Sequence, residues 1–264
     1  MITDGSLSIT NSSFVDNTSA IAGGAVFAGF LPVTVSSSTF ANNASNGGQG
    51  GGAIAAGGTV TVTNSTFTAN SAAGVGGAVG SLSSVSLTHV TMSGNTAAIG
   101  ANVFAGAALT STGSVLADPQ GSSSCAVGST NSSYSYDTDG SCGFVGTGDT
   151  SGGPDPQLGA LGDNGGQTET MVPADTSPLV DAIPTADCSV ATDQRDVSRP
   201  QGSGCDIGSV EVEPAGPPTN VPTSRDDCMR GDWAQHSDDA GRPFKNQGDC
   251  VSYLASSGRN AAQG

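Results

Sequence analysis

The sequence predicts an all-β, right-handed parallel β-helix, and three recurring features predict it. A Phe-x-x-Asn tetrad returns at Phe14–Asn17, Phe40–Asn43 and Phe67–Asn70, with a degenerate form at Met92–Asn95. A run of small residues follows each tetrad: Gly23-Gly24-Ala25-Val26, Gly51-Gly52-Ala53-Ile54, Gly76-Gly77-Ala78-Val79 and Gly100-Ala101-Asn102-Val103. An alternating run precedes each one: Leu7-Ser8-Ile9, Val33-Thr34-Val35, Val60-Thr61-Val62 and Val85-Ser86-Leu87. A fixed period between roughly 20 and 50 residues marks a solenoid. Alternation of period two, β-branched residues and Gly, Asn and Ser spacers select strands and turns over helical repeats.

Each element then has an expected place. Three short strands per coil stack in parallel about 4.8 Å apart. Val33, Val35, Val60, Val62, Val85 and Leu87 face inward. The hydroxyl residues between them, Ser8, Thr34, Thr61 and Ser86 with Thr10, Ser36, Thr63 and Thr88, form a flat outer face. The tetrad asparagines stack as a ladder bonded to turn backbone. The Gly pairs sit where adjacent coils pass too closely for a Cβ.

Composition narrows the function. Charged residues are 11% of the chain, with 23 acidic against 7 basic and a formal charge of −16, where an ordinary domain carries about a quarter. The first basic residue is Arg195, so the clustered Lys and Arg of a nucleic-acid binder are missing. No apolar run approaches the roughly 18 residues of a membrane helix. Up to residue 115 the charged residues are Asp4 and Asp16 and the histidine is His89, a set from which no general base with a partner can be assembled. His89 reads as a solvent-facing or turn residue, and no catalytic residue and no cofactor is assigned.

Six cysteines fall as Cys125 and Cys142, Cys188 and Cys205, and Cys228 and Cys250. No Cys-x-x-Cys occurs, so a zinc site has little support, and sequential disulfides in an oxidising compartment are expected, although spacing does not fix connectivity. Asp137-Thr138-Asp139-Gly140-Ser141 lacks the distal Glu of a calcium loop and reads as an Asx turn; no metal is expected. Gly162-Asp163-Asn164-Gly165-Gly166 reads as a turn. Asp193, Arg195, Arg199, Asp206 and Glu211 mix signs and read as an ion network tying down a cap.

Three resemblances attach to these motifs. The Gly-Gly-Ala-Ile/Val and Phe-x-x-Asn repeats over about residues 1–115 resemble those of the chlamydial polymorphic outer membrane proteins and other bacterial surface β-helices. The run from Asp155-Pro156-Gln157-Leu158-Gly159 through Asp163-Asn164-Gly165-Gly166, Ser177-Pro178-Leu179-Val180-Asp181-Ala182, Thr192-Asp193-Gln194-Arg195, Arg199-Pro200 and Cys205-Asp206-Ile207-Gly208 is similar to the "choice-of-anchor" family of secreted bacterial proteins. That family commonly has Gly where Asp196 stands, and Ala-x-Glu where Ser209-Val210-Glu211 stands. Its likeness implies a segment that closes the C-terminal end of the solenoid. Cys228, Trp233 and Phe244-Lys245-Asn246-Gln247-Gly248-Asp249-Cys250-Val251 look like a module at the ends of secreted actinobacterial proteins.

The expected organisation is β-helix coils over 1–119, with N-terminal coils and a cap preceding them, C-terminal coils and cap over 120–213, a proline-rich linker over 214–227 and a small disulfide module over 228–264. The leading expectation is a non-catalytic extracellular or cell-surface scaffold, adhesin-like or envelope-associated, that binds cell-wall or other glycan or a surface protein. Candidate contact residues are Thr34, Thr61, Ser86, Thr63 and Thr88 on the hydroxyl face and Trp233, Phe244 and Lys245 in the tail. The alternatives are a polysaccharide lyase or glycoside hydrolase whose site lies in coils outside this sequence and, third, an ice-binding surface.

Overall fold

A computed structural model describes residues 5–213, 221–229, 232–238 and 244–256. Asp4, the first half of the proline-rich linker including Pro214, Pro217 and Pro218, and Arg230, Arg242 and Arg259 lie outside the described residues. The chain divides into two compact units, Met1–Val212 and Glu213–Gly264.

The first unit is a parallel β-solenoid of about five turns. Its coils carry four short ladders rather than the three expected. Ladder A runs through Leu7–Thr10 and Val33–Ser36 into Val60–Thr68, Val85–Ser93 and Val103–Thr112 in unbroken register. Ladder B holds Ser13–Val15, Thr39–Ala41 and the second halves of Val60–Thr68 and Val85–Ser93, then Val115–Ala117 and Tyr136–Asp137. The extra ladder C is short: Thr18–Ser19, Ala44–Ser45, Ser71–Val75 and Thr96–Ile99. Ladder D comprises Val26–Phe27, Ile54–Ala56, Val79–Ser81 and the start of Val103–Thr112.

The alternating pattern places the aliphatics as expected. Val33, Val35, Val60, Val62, Val85 and Leu87 are at most 1% exposed. Ladder B contributes Phe14, Phe40 and Phe67, whose rings stack at 4.8 and 4.7 Å, and then Met92 and Leu116. The A-to-B corner needs a left-handed residue in every coil, supplied by Asn11, Ser37, Asn64, His89, Gly113 and Tyr134. Small residues are obligatory where coils touch: a Cβ on Gly52 would meet the Gly77 carbonyl oxygen at 1.9 Å.

The asparagine ladder is continuous. Asn17 donates from Nδ2 to Asn43 Oδ1 (2.9 Å), Asn43 to Asn70 (2.9 Å) and Asn70 to Asn95 (3.0 Å). The next coil has no tetrad asparagine, and Asn102 takes its place, accepting from Asn95 (2.8 Å) and donating to Ser124 Oγ (2.8 Å).

The expectation for residues after 150 is corrected. The end of the solenoid is closed earlier, by the Cys125–Cys142 disulfide and Phe144, both part of the main core. The run from Pro156 to Val212 instead turns back along ladder B as a strap. Its seat is the outward stack Thr39, Thr66, Thr91, Val115 and Tyr136. Over the late coils the contact is apolar, joining Val115, Ala117 and Tyr136 to Leu179, Ile183 and Ile207. Over the earlier coils it is polar, down to Thr168, whose hydroxyl donates to the Ser37 carbonyl (3.2 Å).

The second unit is built around Cys228–Cys250, with the 3₁₀ turns Asp226–Cys228 and Asp232–Gln235 and the helix Gln247–Ser256. Phe244 and Leu254 are buried beside the disulfide, and Trp233 packs against them.

Candidate functional site

Three surfaces of the solenoid carry the chemistry. The first is the outer face of ladder A, where Ser8, Thr34, Thr61, Ser86 and Thr110 share one register row and Thr10, Ser36, Thr63, Thr88 and Thr112 the next. Thr34 and Thr61 are exposed, and Thr63, Ser86 and Thr88 are half-buried. Within each row neighbouring coils are about 4.8 Å apart and the two rows about 6.6 Å apart along the strand, a flat lattice of hydroxyl groups on a rigid backing.

The second surface is ladder B under its strap, where the mixed-sign cluster assembles. Arg199 is fully enclosed: Nη1 donates to Glu211 Oε2 (2.7 Å) and the Asp206 carbonyl (3.0 Å), and Nη2 to the Gly208 carbonyl (2.8 Å). Glu211 also accepts from the backbone N–H groups of Gln201 and Asp206, both at 2.9 Å. Asp193 binds the Arg195 guanidinium (2.9 Å) and caps the N–H groups of Arg195, Val197 and Glu211. Asp206 accepts from Asp181 and Val212 N–H, yet burial pushes its carboxyl up to about 6. Asp196 adopts a left-handed φ of 69° in its turn. Each of the five residues is thus occupied in holding the strap's own turns.

His89 is a turn residue but not a solvent-facing one. It occupies the left-handed corner of its coil, fully buried, with Nε2 3.0 Å from Ser189 Oγ. Burial, with the nearby Arg199 charge, depresses its pKa to about 3. Gly113 completes the fit, because a Cβ there would strike the imidazole at 2.8 Å.

Two residues that charge-based reading passes over add side-chain bonds to the strap's grip on the middle coils, beside the contacts of Thr168 with Ser37, Thr192 with Asn64 and Ser189 with His89. Gln194 Nε2 donates to Thr39 Oγ1 and Thr168 Oγ1, both at 2.9 Å, while its Oε1 accepts from Thr66 Oγ1 (2.7 Å). Ser209 bonds Thr91 through both N–H (2.9 Å) and hydroxyl (3.0 Å). The signal was the threonine just before the first tetrad residue, present in three coils as Thr39 before Phe40, Thr66 before Phe67 and Thr91 before Met92.

The third surface is a cleft of about 490 Å³ on ladder D, flanked by Phe27, Phe30, Leu82 and Phe104. It too is written in the repeat: the residue after each Gly-Gly-Ala-Val-type run is Phe27, Ala55, Gly80 and Phe104 in turn.

The acidic turns are structural. Asp137 is buried and accepts from Cys142 and Gly152 N–H (both 2.9 Å), and Asp139 Oδ1 accepts from Ser141 N–H (3.1 Å) in an Asx turn. Asp163 does the same for Gly165 N–H (3.1 Å). All six cysteines are paired, Cys125–Cys142, Cys188–Cys205 and Cys228–Cys250. Among the described residues no group of three His, Cys, Asp or Glu is placed to hold a metal ion, and no helix is long and apolar enough to cross a membrane. In the tail Lys245 is exposed, its N–H bonded to Asp249 Oδ2 (3.1 Å), while Trp233 is half-buried and Phe244 buried.

What these surfaces define is a disulfide-bonded parallel β-solenoid with a lateral strap. The chain matches no protein-family model, and no curated protein or solved structure is significantly similar to it.

Proposed function

We propose that this chain is a non-catalytic extracellular or cell-surface scaffold, adhesin-like or envelope-associated, that contacts glycan or a surface protein through the hydroxyl face of ladder A. The observation that carries the reading is the register of that face: paired hydroxyl rows over five coils, with Thr34 and Thr61 open to solvent. A regular row of neutral donors and acceptors suits the repeating hydroxyl groups of a glycan, and the stacked backbone behind it costs little ordering entropy on binding.

Two further points support it. Three disulfides fit an oxidising compartment outside the cytosol. The similarity of the Asp155–Gly208 motifs to the secreted "choice-of-anchor" proteins, of the repeats to polymorphic outer membrane proteins and of the tail to an actinobacterial module agrees with such a location. The charged cluster of the strap is spent on structure, which leaves the uncharged faces for contact.

Co-sedimentation with insoluble cell-wall glycan, chitin and cellulose, together with a soluble glycan array, tests the reading. Saturable binding that Thr34→Lys and Thr61→Lys abolish while the fold stays intact supports it. Binding that survives both substitutions overturns the assignment of this face, and no binding across the whole panel overturns glycan as its partner.

A further inference from the structure

Ladder D differs from the other faces because two of its outward positions are aromatic and the two between them are nearly bare. Phe27 pairs with Ala55, Ala55 with Gly80 and Gly80 with Phe104. Three ladder steps separate the two phenylalanines by about 14 Å along the stack. Between them Ala55 and Gly80 form a floor with almost no side-chain height.

Side chains flank the floor as well. On one side stand Phe30 and Leu82, with Gly57 beneath the Phe30 ring, where a Cβ would lie 2.6 Å from Phe30 Cδ1. On the other stand Gln49 and Val75. The result is a half-open box, and its volume of about 490 Å³ lies in the range of sites for small molecules, about 300–1,000 Å³.

The walls are exposed apolar surface, with Phe27 61%, Leu82 66% and Phe30 86% exposed. Apolar side chains clustered in this way mark a contact site. Among the described residues no charged side chain lines the box, so an ionic ligand would lose hydration there without a counter-charge. A polysaccharide threading along the stack would meet the Phe27 and Phe104 rings at either end. Walls about 14 Å apart are too distant to sandwich a single ring, so they favour an elongated ligand that brings an aromatic or alicyclic face to the wall at each end.

We propose that this pocket binds one neutral, predominantly apolar, elongated small molecule with rings along its length, lying over the Ala55–Gly80 floor and reaching from Phe27 towards Phe104. The site is separate from the hydroxyl face and does not depend on it.

Titration of the full chain with the neutral fluorophore N-phenyl-1-naphthylamine tests this. The expected result is saturable uptake of one molecule per chain. Phe27→Ser and Phe104→Ser each remove a wall outside the core, and Ala55→Leu raises the floor; each should weaken binding by about tenfold or more. Far-UV circular dichroism and the absence of free thiols check that the variants are folded, and Thr34→Lys should leave probe binding unchanged. Non-saturable uptake, or equal affinity in all three box variants, overturns the proposal. So does failure to bind probe in a chain that sediments as a dimer dissociated by Phe30→Ser, which assigns the surface to contact between copies.

Discussion

Asn70 is the most exacting place to test the stacking account. Its side chain is fully buried and makes four hydrogen bonds: Nδ2 to the Phe40 carbonyl (2.9 Å) and Asn95 Oδ1 (3.0 Å), Oδ1 from Asn43 N–H (3.0 Å) and Asn43 Nδ2 (2.9 Å). Replacement by Ala removes all four. Asn95 Oδ1 keeps the Asn70 N–H and Asn43 Nδ2 keeps the Phe14 carbonyl, and the Phe40 carbonyl stays in the parallel ladder with Thr68, so the Asn43 N–H loses most. A buried N–H left unpaired costs about 1–3 kcal/mol and the space vacated by the amide adds to it, which puts Asn70→Ala at about 2–4 kcal/mol against a total stability of roughly 5–15 kcal/mol. Asn17→Ala, at the exposed end of the same ladder, should cost under about 1 kcal/mol. Urea unfolding followed by far-UV circular dichroism reads the solenoid and gives both numbers. Equal costs at the two positions, or an Asn70→Ala cost below about 1 kcal/mol, would refute the ladder as a source of stability.

Val62→Asp places a carboxylate in a fully enclosed position and should remove the cooperative unfolding transition, since the cost of about 4 kcal/mol or more approaches the whole stability; a retained transition would show that the register is wrong. His89 gives a pH signature. Its pKa is depressed from 6.5 to about 3 in the folded chain, so the unfolded chain takes up the proton first and stability falls as pH drops from 6.5 towards 3. Asp206, raised from 3.8 to about 6, works the other way, gaining stability as pH falls from about 6 to 3.8. His89→Asn should therefore flatten the acid limb of stability against pH, with Asn suited to the corner because Asn64 already fills it one coil earlier; an unchanged limb would contradict the assignment. The chain should not turn over polygalacturonate or alginate, with or without Ca²⁺, because its negative charge repels polyanions at low salt and ladder A offers no base; absorbance at about 235 nm from unsaturated product would sink the non-catalytic reading.

The solenoid was legible because two periods coincide: side chains alternate with period two, and the tetrads return at the length of one coil. Inward valines and outward hydroxyls follow from that alone. The fourth ladder was not legible, since Thr18–Ser19 and Ala44–Ser45 are too short to show alternation. Nor was the position of the strap. Thr39, Thr66 and Thr91 are chemically the same as the solvent-facing Thr34 and Thr61, and only the complementary Gln194 and Ser209 tell the two faces apart. The charged cluster was legible as a network, but its members bond mostly to strap backbone, so their pattern gave no address on the solenoid. His89 was misjudged for the same reason: its corner is exposed until the strap lies over it.

The lateral course of the strap is the claim on which the assignment of faces depends. Amide hydrogen exchange on the full chain, compared with a Thr66→Val, Thr91→Val double variant, tests it most directly. Both substitutions preserve shape but withdraw the hydroxyls that Gln194 and Ser209 grip in mid-solenoid. The account predicts faster exchange across residues 192–211 while the amides of Val60, Val62, Val85 and Leu87 stay protected. Unchanged exchange over 192–211, with the segment behaving as a cap on the far end of the stack, would contradict it.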